Sequence, residues 1–487
     1  MFGIGVVVGV GGSALGLAPV ARAADPIFKV TNLSDSPAVS GSLPYEIEAA
    51  DAEGAVGSGV TGLITFASNV TGSIELTSPL PPITASLYLD GPGARRLTLN
   101  AGSIQDTTLE PVIYDGTDTA GLTIAGLSLD DANTGNLDGG FIQARGAAVA
   151  LFDDTFADDR AYRGGGVFSD TGLLTVYSCT FSGDAATLGG GLEAAYSAST
   201  TIADSTFAGN QAVDSGGAIE LLHAAAYIFD STITGNAVSY PSLGASEPAG
   251  YGGGIAASYS GLDLDDSVIA DNTATGNAGN AGGPERHRDI YLRRPSDFSA
   301  QFSLIQQDTD AFTSNLNSTD ITGEDPQLGP LQDNGGQTDT ELPAPSSPLI
   351  NAGDAFGLDT DQRGAARTVL FPGVATSATG DGTDIGAAEL RPFISGLSAA
   401  TGKAGQELAI DGAGLAGTTA VHFGKASARF RVISDSTLLI TVPKGDGTVR
   451  ISVKTPALPS VLVSAERFSY ERANDRNQRR SGRAARR

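Results

Sequence analysis

The stretch Asp204-Ser-Thr-Phe207-Ala-Gly-Asn210 decides the fold, because related stretches recur along the chain at a nearly constant spacing. They place an apolar residue at positions 156, 181, 207, 233 and 269, with spacings of 25, 26, 26 and 36 residues. Leu129 and Ile305 extend the series at its two ends. A repeat of this length is typical of a solenoid, in which each unit is one coil that cannot bury its apolar side alone.

A second motif keeps phase with the first and consists of two or three small residues, mostly glycine, followed by an apolar one. Its copies are Gly139-Gly140-Phe141, Gly164-Gly-Gly-Val167, Gly189-Gly-Gly-Leu192, Gly216-Gly-Ala-Ile219 and Gly252-Gly-Gly-Ile255. Short β-prone runs such as Leu174-Thr-Val-Tyr177 separate the motifs, with no helical period. The sequence therefore predicts an all-β protein, a right-handed parallel β-helix of roughly ten coils between about residues 60 and 310.

Stacking of the coils assigns a place to each repeated side chain. We expect one inward apolar ladder formed by Phe156, Phe181, Phe207, Ile233 and Ile269. We expect a turn ladder, with left-handed backbone and bonds to neighbouring amides, formed by Asp159, Asp184, Asn210, Asn236 and Asn272. The glycine pairs fit the next corner, where a positive φ is cheap for glycine. Residues 239–250 lengthen one coil and are predicted to be a loop insertion.

Charge and cysteine content exclude some classes of function. The formal net charge is −26, although the last 17 residues hold seven arginines against two acids. The chain before this tail is strongly acidic and repels nucleic acid and anionic lipid. We therefore predict no nucleic-acid partner. Cys179 is the only cysteine, so no internal disulfide can form, and we expect it to be a small core residue.

The beginning of the chain is similar to a secretory signal peptide. Residues 2–20 carry no charge, and Ala21-Arg22-Ala23 supplies a small-residue cleavage pattern, although a basic stretch before the apolar run is missing. We therefore predict a signal peptide over residues 1–23 and export to the cell surface or the medium. No later segment is apolar for long enough to cross a bilayer.

Several repeats resemble those of known surface proteins. Phe207-x-x-Asn210 and Gly216-Gly-Ala-Ile219 resemble the repeats of chlamydial polymorphic outer membrane proteins, which are surface adhesins. The earlier segments resemble the start of bacterial cell-surface β-helix proteins: Val30-Thr-Asn32, Gly41-Ser-Leu43, Ile64-Thr-Phe66, Gly72-Ser-Ile74-Glu-Leu76 and Leu89-Asp-Gly-Pro-Gly93. This resemblance implies a short helix over Gly41 to Asp51, with Pro44 in its first turn, that caps the open end of the solenoid.

The segment after the repeats is similar to the "choice-of-anchor Q" domain, which closes β-helical surface proteins. The matching motifs are Asp325-Pro-Gln-Leu-Gly-Pro-Leu331, Asp333-Asn-Gly-Gly336, Ser347-Pro-Leu-Ile-Asn-Ala-Gly-Asp354, Asp361-Gln-Arg-Gly364 and Asp384-Ile-Gly-Ala387. The resemblance implies export and display and names no ligand. Asp361 and Arg363 are interpreted as a buried pair that holds a turn.

From Pro392 the pattern changes to alternating strands at the spacing of a small antiparallel sandwich. Gly405-Gln-Glu-Leu-Ala-Ile-Asp-Gly412 and Asp435-Ser-Thr-Leu-Leu-Ile-Thr-Val-Pro443 are two of these strands. The set resembles the IPT/TIG family, which implies an immunoglobulin-like spacer or contact module. The predicted organisation is a signal peptide (1–23), a cap with the first coils (24–120), β-helix repeats (121–322), a closing domain (323–390), the sandwich (391–470) and a basic disordered tail (471–487).

Catalysis is the main alternative, because right-handed β-helices also host pectate lyases and polygalacturonases. Such sites need an Arg or Lys base beside calcium-binding carboxylates, or several Asp with His, Arg and Lys. The first candidate is the cluster Asp158, Asp159, Arg160 and Arg163, with Arg163 as base. Paired acids such as Asp153-Asp154 and Asp265-Asp266 instead occupy repeat-equivalent turns, which favours a structural role. Between Arg163 and Arg286 there is no Lys or Arg, although 12 acids lie between positions 164 and 284.

The remaining candidate site residues are few. His223 is interpreted as a strand residue that is either solvent-facing or satisfied within the fold, while His287 lies in a charged loop and His422 in the sandwich. The acidic turn Asp263-x-Asp265-Asp266 could hold structural Ca²⁺, but no nonapeptide calcium repeat is present. We therefore predict no catalytic, cofactor-binding or metal residue. The predicted function is that of a monomeric, non-catalytic secreted or surface protein, acting in adhesion, envelope structure or glycan contact; the alternative is a polysaccharide lyase or glycoside hydrolase.

Overall fold

The computed structural model describes residues 26–53, 62–104, 111–115, 121–196, 199–239, 251–275, 289–293, 297–307, 315–434, 436–454 and 462–471. The described residues belong to two compact units. The first holds the repeats and runs to Thr368, with Ser377–Glu389 added; the second consists of Val369–Thr376 and the residues from Leu390 onward. The signal peptide, the loop insertion from residue 240, His287 and the tail from residue 472 lie outside the described residues.

The first unit is built from four parallel sheets, which we number 1 to 4. Sheet 1 contains Ile27–Val30, Gly62–Phe66, Leu87–Asp90, Gly121–Ala125, Ala148–Phe152, Leu173–Tyr177, Ser199–Ala203, Ala225–Phe229, Gly261–Asp265 and Asp297–Gln301. Sheet 2 contains Gly72–Glu75, Leu97–Asn100, Ser128–Asp130, Thr155–Ala157, Thr180–Ser182, Thr206–Ala208, Thr232–Thr234, Val268–Ala270, Leu304–Ile305 and Ile321–Thr322.

Sheets 3 and 4 complete the coils. Sheet 3 contains Ile113–Asp115, Ile142–Arg145, Val167–Asp170, Leu192–Ala195, Ile219–Leu222, Ile255–Ser258 and Ile290–Arg293. Sheet 4 contains Ala185–Leu188, Gln211–Ser215, Ala237–Ser239 and Thr273–Thr275. A coil visits sheets 1, 2, 4 and 3 in that order and then returns to sheet 1, so each strand pairs with the equivalent strand one coil later. The parallel β-helix is thus confirmed, and its first rung is Ile27–Val30, earlier than the predicted start near residue 60.

The predicted inward ladder is confirmed. Phe156, Phe181 and Phe207 are fully buried, and their rings stack with centroid distances of 4.5 Å and interplanar angles of 6° and 3°. Ile233 and Ile269 continue the same register on sheet 2. Because identical positions lie one coil apart, each ring covers the face of the next and no coil leaves its apolar side exposed.

The ladder of Asp and Asn side chains also forms, and it is buried. The side-chain oxygen of each member accepts the backbone N–H of its predecessor one coil earlier: Asn210 from Asp184 at 3.0 Å, Asn236 from Asn210 at 2.9 Å and Asn272 from Asn236 at 3.0 Å. The predicted left-handed backbone was wrong for the ladder residues themselves. It falls one residue earlier, at Asp158, Gly183, Gly209, Gly235 and Asp271.

Two members of this ladder are aspartates in places where the other members are amides. The Nδ2 of Asn210 donates to the Phe181 carbonyl at 3.0 Å, whereas one carboxyl oxygen of Asp159 and one of Asp184 have no partner. Burial raises the pKa of both carboxyls well above its usual range, and the charge of Asp184 raises that of Asp159 further. A neutral acid, or an amide, therefore fits these positions better than a carboxylate.

Asp184→Asn is expected to stabilise the solenoid at pH 8 by about 1–3 kcal/mol, the usual cost of an unsatisfied buried polar group. Because the folded pKa of Asp184 is raised, its stability cost is absent below the unfolded value near 4 and grows as pH rises. The gain should therefore shrink at pH 4. Denaturant unfolding at both pH values checks this. A variant no more stable than wild type at pH 8 would contradict it.

A helix, Leu43–Glu53, covers the beginning of the solenoid as predicted, two residues later than expected at each end. The hydroxyl of Ser42 accepts the N–H of Tyr45 at 3.2 Å, which caps the helix, and Pro44 lies in its first turn. Leu43, Ile47 and Ala50 are buried in the same core as the first coils. The helix thereby protects the apolar end of the first coil from water.

The predicted closing segment, residues 323–390, contains little regular strand, and its part in the first unit packs on the outer side of sheet 2. Gln362 lies at the centre of this contact. Its Nε2 donates to the Cys179 carbonyl at 3.1 Å and to the Thr180 hydroxyl at 2.9 Å, and its Oε1 accepts the Thr206 hydroxyl at 2.6 Å. These bonds reach two successive coils, so the segment fastens neighbouring rungs together.

The second unit is an antiparallel sandwich. One sheet contains Phe393–Leu397, Glu407–Ala413, Thr437–Thr441 and Arg429–Ser434; the other contains Thr401–Gly402, Leu462–Tyr470, Thr448–Lys454, Ala420–Phe423 and Ala426–Ser427. Leu408 and Ile440 of the first sheet pack with Phe423, Ile451 and Phe468 of the second in one core. The predicted immunoglobulin-like sandwich is confirmed. No helix in the described part of the chain is long and apolar enough to span a membrane.

Candidate functional site

The cluster proposed for a lyase is not assembled. Asp159 is fully buried in the amide ladder, Asp158 and Arg160 are exposed, and Arg163 is directed elsewhere, onto Glu193 of the following coil. The prediction from sequence failed because the side chains of adjacent residues at a tight coil corner point in different directions. Burial favours the neutral form of Arg163, but the hydrogen bond and charge of Glu193 outweigh it and raise its pKa, so Arg163 is poorly suited to act as a base.

Arg163 belongs to a filled concave corner between sheets 4 and 3. Its guanidinium lies 4.5 Å over the ring of Phe168 and donates from Nε to both carboxyl oxygens of Glu193, at 3.0 and 2.9 Å. One coil further, the Ser215 hydroxyl donates to Glu220 at 2.7 Å. Glu193 and Glu220 are register partners on sheet 3, and their side chains are almost completely buried.

The carboxyl pKa values of the two glutamates in this corner are raised. Burial raises the pKa of Glu193 to about 7, although Arg163 lowers it, and raises that of Glu220 to about 8, with a further contribution from the charge of Glu193. Such values suit general acids or bases. However, Arg163 covers Glu193 and Ser215 binds Glu220, so the carboxyls serve as internal polar contacts in this arrangement.

Glu220→Gln is expected to protect the fold against alkaline pH. Because the folded pKa of about 8 lies above the unfolded value of 4.5, the contribution of Glu220 to stability is complete below pH 4.5 and is lost as pH rises through about 8. The amide cannot ionise and keeps the bond to Ser215. The melting temperature of the variant should therefore exceed that of wild type at pH 9 and match it at pH 5.

The control for that experiment is Glu324→Gln, which changes an exposed glutamate of the same unit. This variant should follow the wild-type melting curve at both pH values. If Glu220→Gln also followed it at pH 9, the carboxyl of Glu220 would not be ionising inside the folded protein.

A second polar cluster joins the closing segment to the coils. Asp204, Asp230 and Asp266 occupy equivalent corners of three coils, and the side chain of Arg367 lies among them with no exposed surface. Its guanidinium contacts Asp204, lies 3.1 Å from Asp230 and donates to the Gly386 carbonyl at 3.0 Å. Burial raises the pKa of Asp204 to about 6 despite the arginine. The cluster is an internal ion network in which three acids share one cation.

The calcium hypothesis for Asp263, Asp265 and Asp266 is not supported by their surroundings. Asp266 is buried and accepts the N–H of Asp354 at 3.0 Å, whereas Asp265 accepts the Tyr227 hydroxyl at 2.6 Å. Asp263 is exposed. Among the residues that the structure describes, no group of three or more His, Cys, Asp or Glu side chains could hold a metal ion.

His223 is solvent-facing, one of its two predicted states, but it follows the strand Ile219–Leu222 and does not lie on it. It is the middle ring of an exposed column. The rings of Tyr196 and His223 stack at 5.2 Å between centroids with an angle of 9°, and those of His223 and Tyr259 at 4.9 Å with 5°. Tyr196 is 54% exposed and Tyr259 is 46% exposed. We call these three residues the aromatic column. Each directly follows a strand of sheet 3, so consecutive coils present the rings one above another.

The other residues singled out from the sequence have structural surroundings. The guanidinium of Arg363 pairs with Asp361, whose carboxyl also accepts the Ala365 N–H at 3.0 Å, so this pair holds a turn as predicted. Cys179 is fully buried, and burial raises the pKa of its thiol. His422 lies on the sandwich, with its Nδ1 3.3 Å from the Ser427 hydroxyl.

Sequence reasoning missed Tyr196 and Tyr259, although a usable signal exists. Each residue of the aromatic column lies four positions after the apolar residue that ends a glycine motif, namely after Leu192, Ile219 and Ile255. Alignment of the repeats on those motifs would have placed the three rings in one line. Arg367 had no comparable signal, because its three acidic partners lie at least 101 residues earlier in the chain.

Comparison with known proteins identifies part of the chain. The chain is similar to a solved structure described as "The structure of rice weevil pectin methyl esterase", with 11% sequence identity, a TM-score of 0.28, and coverage of 58% of this chain and 92% of that chain. No curated protein matches the sequence significantly. The family model of the IPT/TIG domain matches residues 392–470. The sandwich of the second unit is therefore an IPT/TIG domain, and it follows the parallel β-helix in the sequence.

Proposed function

We propose that this protein is a non-catalytic contact protein, exported to the cell surface or the medium, which acts in adhesion, envelope structure or glycan binding. The observation that supports this proposal is that the repeated acidic residues are buried and bonded within the solenoid. Six of them are fully buried at coil corners: Asp154, Asp159, Asp184, Asp204, Asp230 and Asp266. Five of them accept backbone amides or the guanidinium of Arg367, and Asp230 forms an ion pair with that guanidinium at 3.1 Å, so all six stabilise the coils and are withdrawn from any ligand.

The alternative is a polysaccharide lyase or hydrolase, and one observation favours it. Glu193 and Glu220 lie one coil apart beside Arg163, with pKa values of about 7 and 8. A glycosidase needs two carboxyls that reach opposite sides of one bond. The carboxyl of Glu193 has no exposed surface, so substrate could reach it only after Arg163 moved away. This requirement makes the contact function the better-supported of the two.

A glycan array scored for both binding and product release, with and without Ca²⁺, separates these functions. The contact function predicts retention of one or more glycans, no release of unsaturated or reducing-end products, and no effect of Ca²⁺. Product release that Glu193→Gln or Glu220→Gln abolishes would establish the enzyme instead. Absence of any binding or release would remove the glycan branch of the proposal and leave adhesion to protein or an envelope role.

A further inference from the structure

The aromatic column stands at a backbone position that large side chains rarely occupy. Tyr196, His223 and Tyr259 have φ values of 50°, 50° and 55°, in the left-handed region. The equivalent residues in the two coils before Tyr196 are Thr171 and Gly146, with φ values of 63° and 79°. A residue other than glycine is strained in this region, and bulky side chains are genuine outliers there. Three successive coils nonetheless place a ring there.

The rings gain little burial within the protein. Tyr196 and Tyr259 keep about half of their surface exposed, and each stacks on the ring of His223. Selection for stability alone would favour glycine at such a corner, as at Gly146. Strained residues that remain exposed are typical of functional sites, so the rings point to a ligand outside the chain.

Next to the rings, the strand ends of the same three coils carry no charge, although the chain as a whole carries −26. One coil further on either side, the matching positions hold Asp170, Arg293 and Asp297. On the sheet 1 side, the strands begin with small residues, Ser199, Ala225 and Gly261. On the sheet 3 side, they end with Ala195, Leu222 and Ser258. In these three coils the rings are therefore flanked on both sides by neutral residues. An anionic partner gains nothing here and is repelled by the rest of the surface.

The stacking determines which parts of the rings a ligand can contact. Near-parallel rings about 5 Å apart cover each other's inner faces, so the ring edges, the two tyrosine hydroxyls and the imidazole nitrogens face solvent. Such edges are apolar along the ring and polar at the tip. A sugar polymer offers the complementary groups, because every unit carries hydroxyls that can donate to and accept from the tyrosine hydroxyls and the imidazole nitrogens.

We propose that Tyr196, His223 and Tyr259 form a binding site for an uncharged linear polysaccharide that runs along the solenoid axis. The site repeats with the coil spacing of about 4.8 Å, so a linear polymer can contact successive rings with successive sugar units. This inference rests on the proposed contact function and names its ligand class. It requires no metal, cofactor or movement of the chain.

The test measures binding of full-length protein to cellohexaose, mannohexaose and hexagalacturonate by isothermal titration calorimetry. At least one neutral hexasaccharide should bind, and hexagalacturonate should not. The affinity for the neutral ligand should be the same in 0.05 and 0.5 M salt, because salt screens charged pairs and none form here. Tyr196→Gly and Tyr259→Gly should each weaken that binding at least tenfold. Neither should lower the melting temperature, because glycine suits a left-handed corner.

The matched control is Tyr162→Ala, which removes a tyrosine of similar exposure, 43%, from a different corner and should bind like wild type. Wild-type affinity in both glycine variants would overturn the assignment of the site while leaving the contact function standing. Tighter binding of hexagalacturonate would overturn the ligand class. A wild-type dimer that Tyr196→Gly converts to a monomer would show that a second copy covers the column. Failure of every glycan on the array to bind would reject this inference together with the glycan branch of the proposed function.

Discussion

Arg367→Met is expected to destabilise the solenoid by about 3–5 kcal/mol, as is usual when one partner of a buried ion pair is removed. The methionine leaves Asp204, Asp230 and Asp266 buried without their cation. Without the arginine, the folded pKa values of these acids rise further above the unfolded value near 4. The loss should therefore be large at pH 8 and smaller at pH 4, where the acids are protonated. Denaturant unfolding at both pH values measures it.

Two further variants separate charge from packing at this site. Arg160→Met removes an exposed arginine and should change stability little. Replacing Asp204 and Asp230 with Asn in the Arg367→Met background should recover much of the loss, because a neutral cluster no longer needs a cation. If the loss were the same at pH 4 and pH 8 and the added amides recovered none of it, the cluster would matter through its shape alone.

Phe181→Ala is expected to cost about 3–5 kcal/mol, as is usual for a buried phenylalanine. The ring is fully buried and is stacked on both faces, against Phe156 and Phe207 at 4.5 Å. Its loss opens a cavity between two coils that cannot close, because backbone hydrogen bonds on either side fix the spacing. Phe181→Leu keeps most of the volume and should cost less than half as much. Equilibrium unfolding of both variants gives the comparison.

The control for this pair is again Tyr162→Ala, since it removes an exposed ring of similar size and should have little effect on stability. A loss for Phe181→Ala no larger than that for Tyr162→Ala would mean that the stacked rings are not the core of the solenoid.

Much of the fold could be predicted because residues that contact each other in the solenoid are separated by a regular number of positions in the sequence. Phe156, Phe181 and Phe207 stack since a period of 25 or 26 residues equals one coil, and the glycine motif marks a corner with a positive φ. The start of the solenoid was predicted too late, because the first rung, Ile27–Val30, lies before the repeat becomes regular.

The candidate site could be predicted only in part. His223 was expected to face solvent or to be satisfied within the fold, but its role in a column depends on Tyr196 and Tyr259, which are visible only when the repeats are aligned on the glycine motifs. The predicted lyase cluster was wrong because residues that are neighbours in sequence can point their side chains in different directions at a coil corner. Asp159 faces inward, and Arg163 contacts Glu193. Arg367 could not have been paired with Asp204, since no local pattern links distant segments.

The register of the coils is the claim on which the aromatic column and both ladders depend. Ala225 and Gly261 are register partners on sheet 1, and a Cβ added at Gly261 would lie 4.0 Å from the Cβ of Ala225. That distance suits a disulfide. Full-length protein with Ala225→Cys and Gly261→Cys, oxidised and mapped by peptide mass spectrometry, should form the 225–261 disulfide in high yield, whereas Ala225→Cys with Asp263→Cys should not cross-link. Efficient cross-linking of the second pair and none of the first would contradict the account.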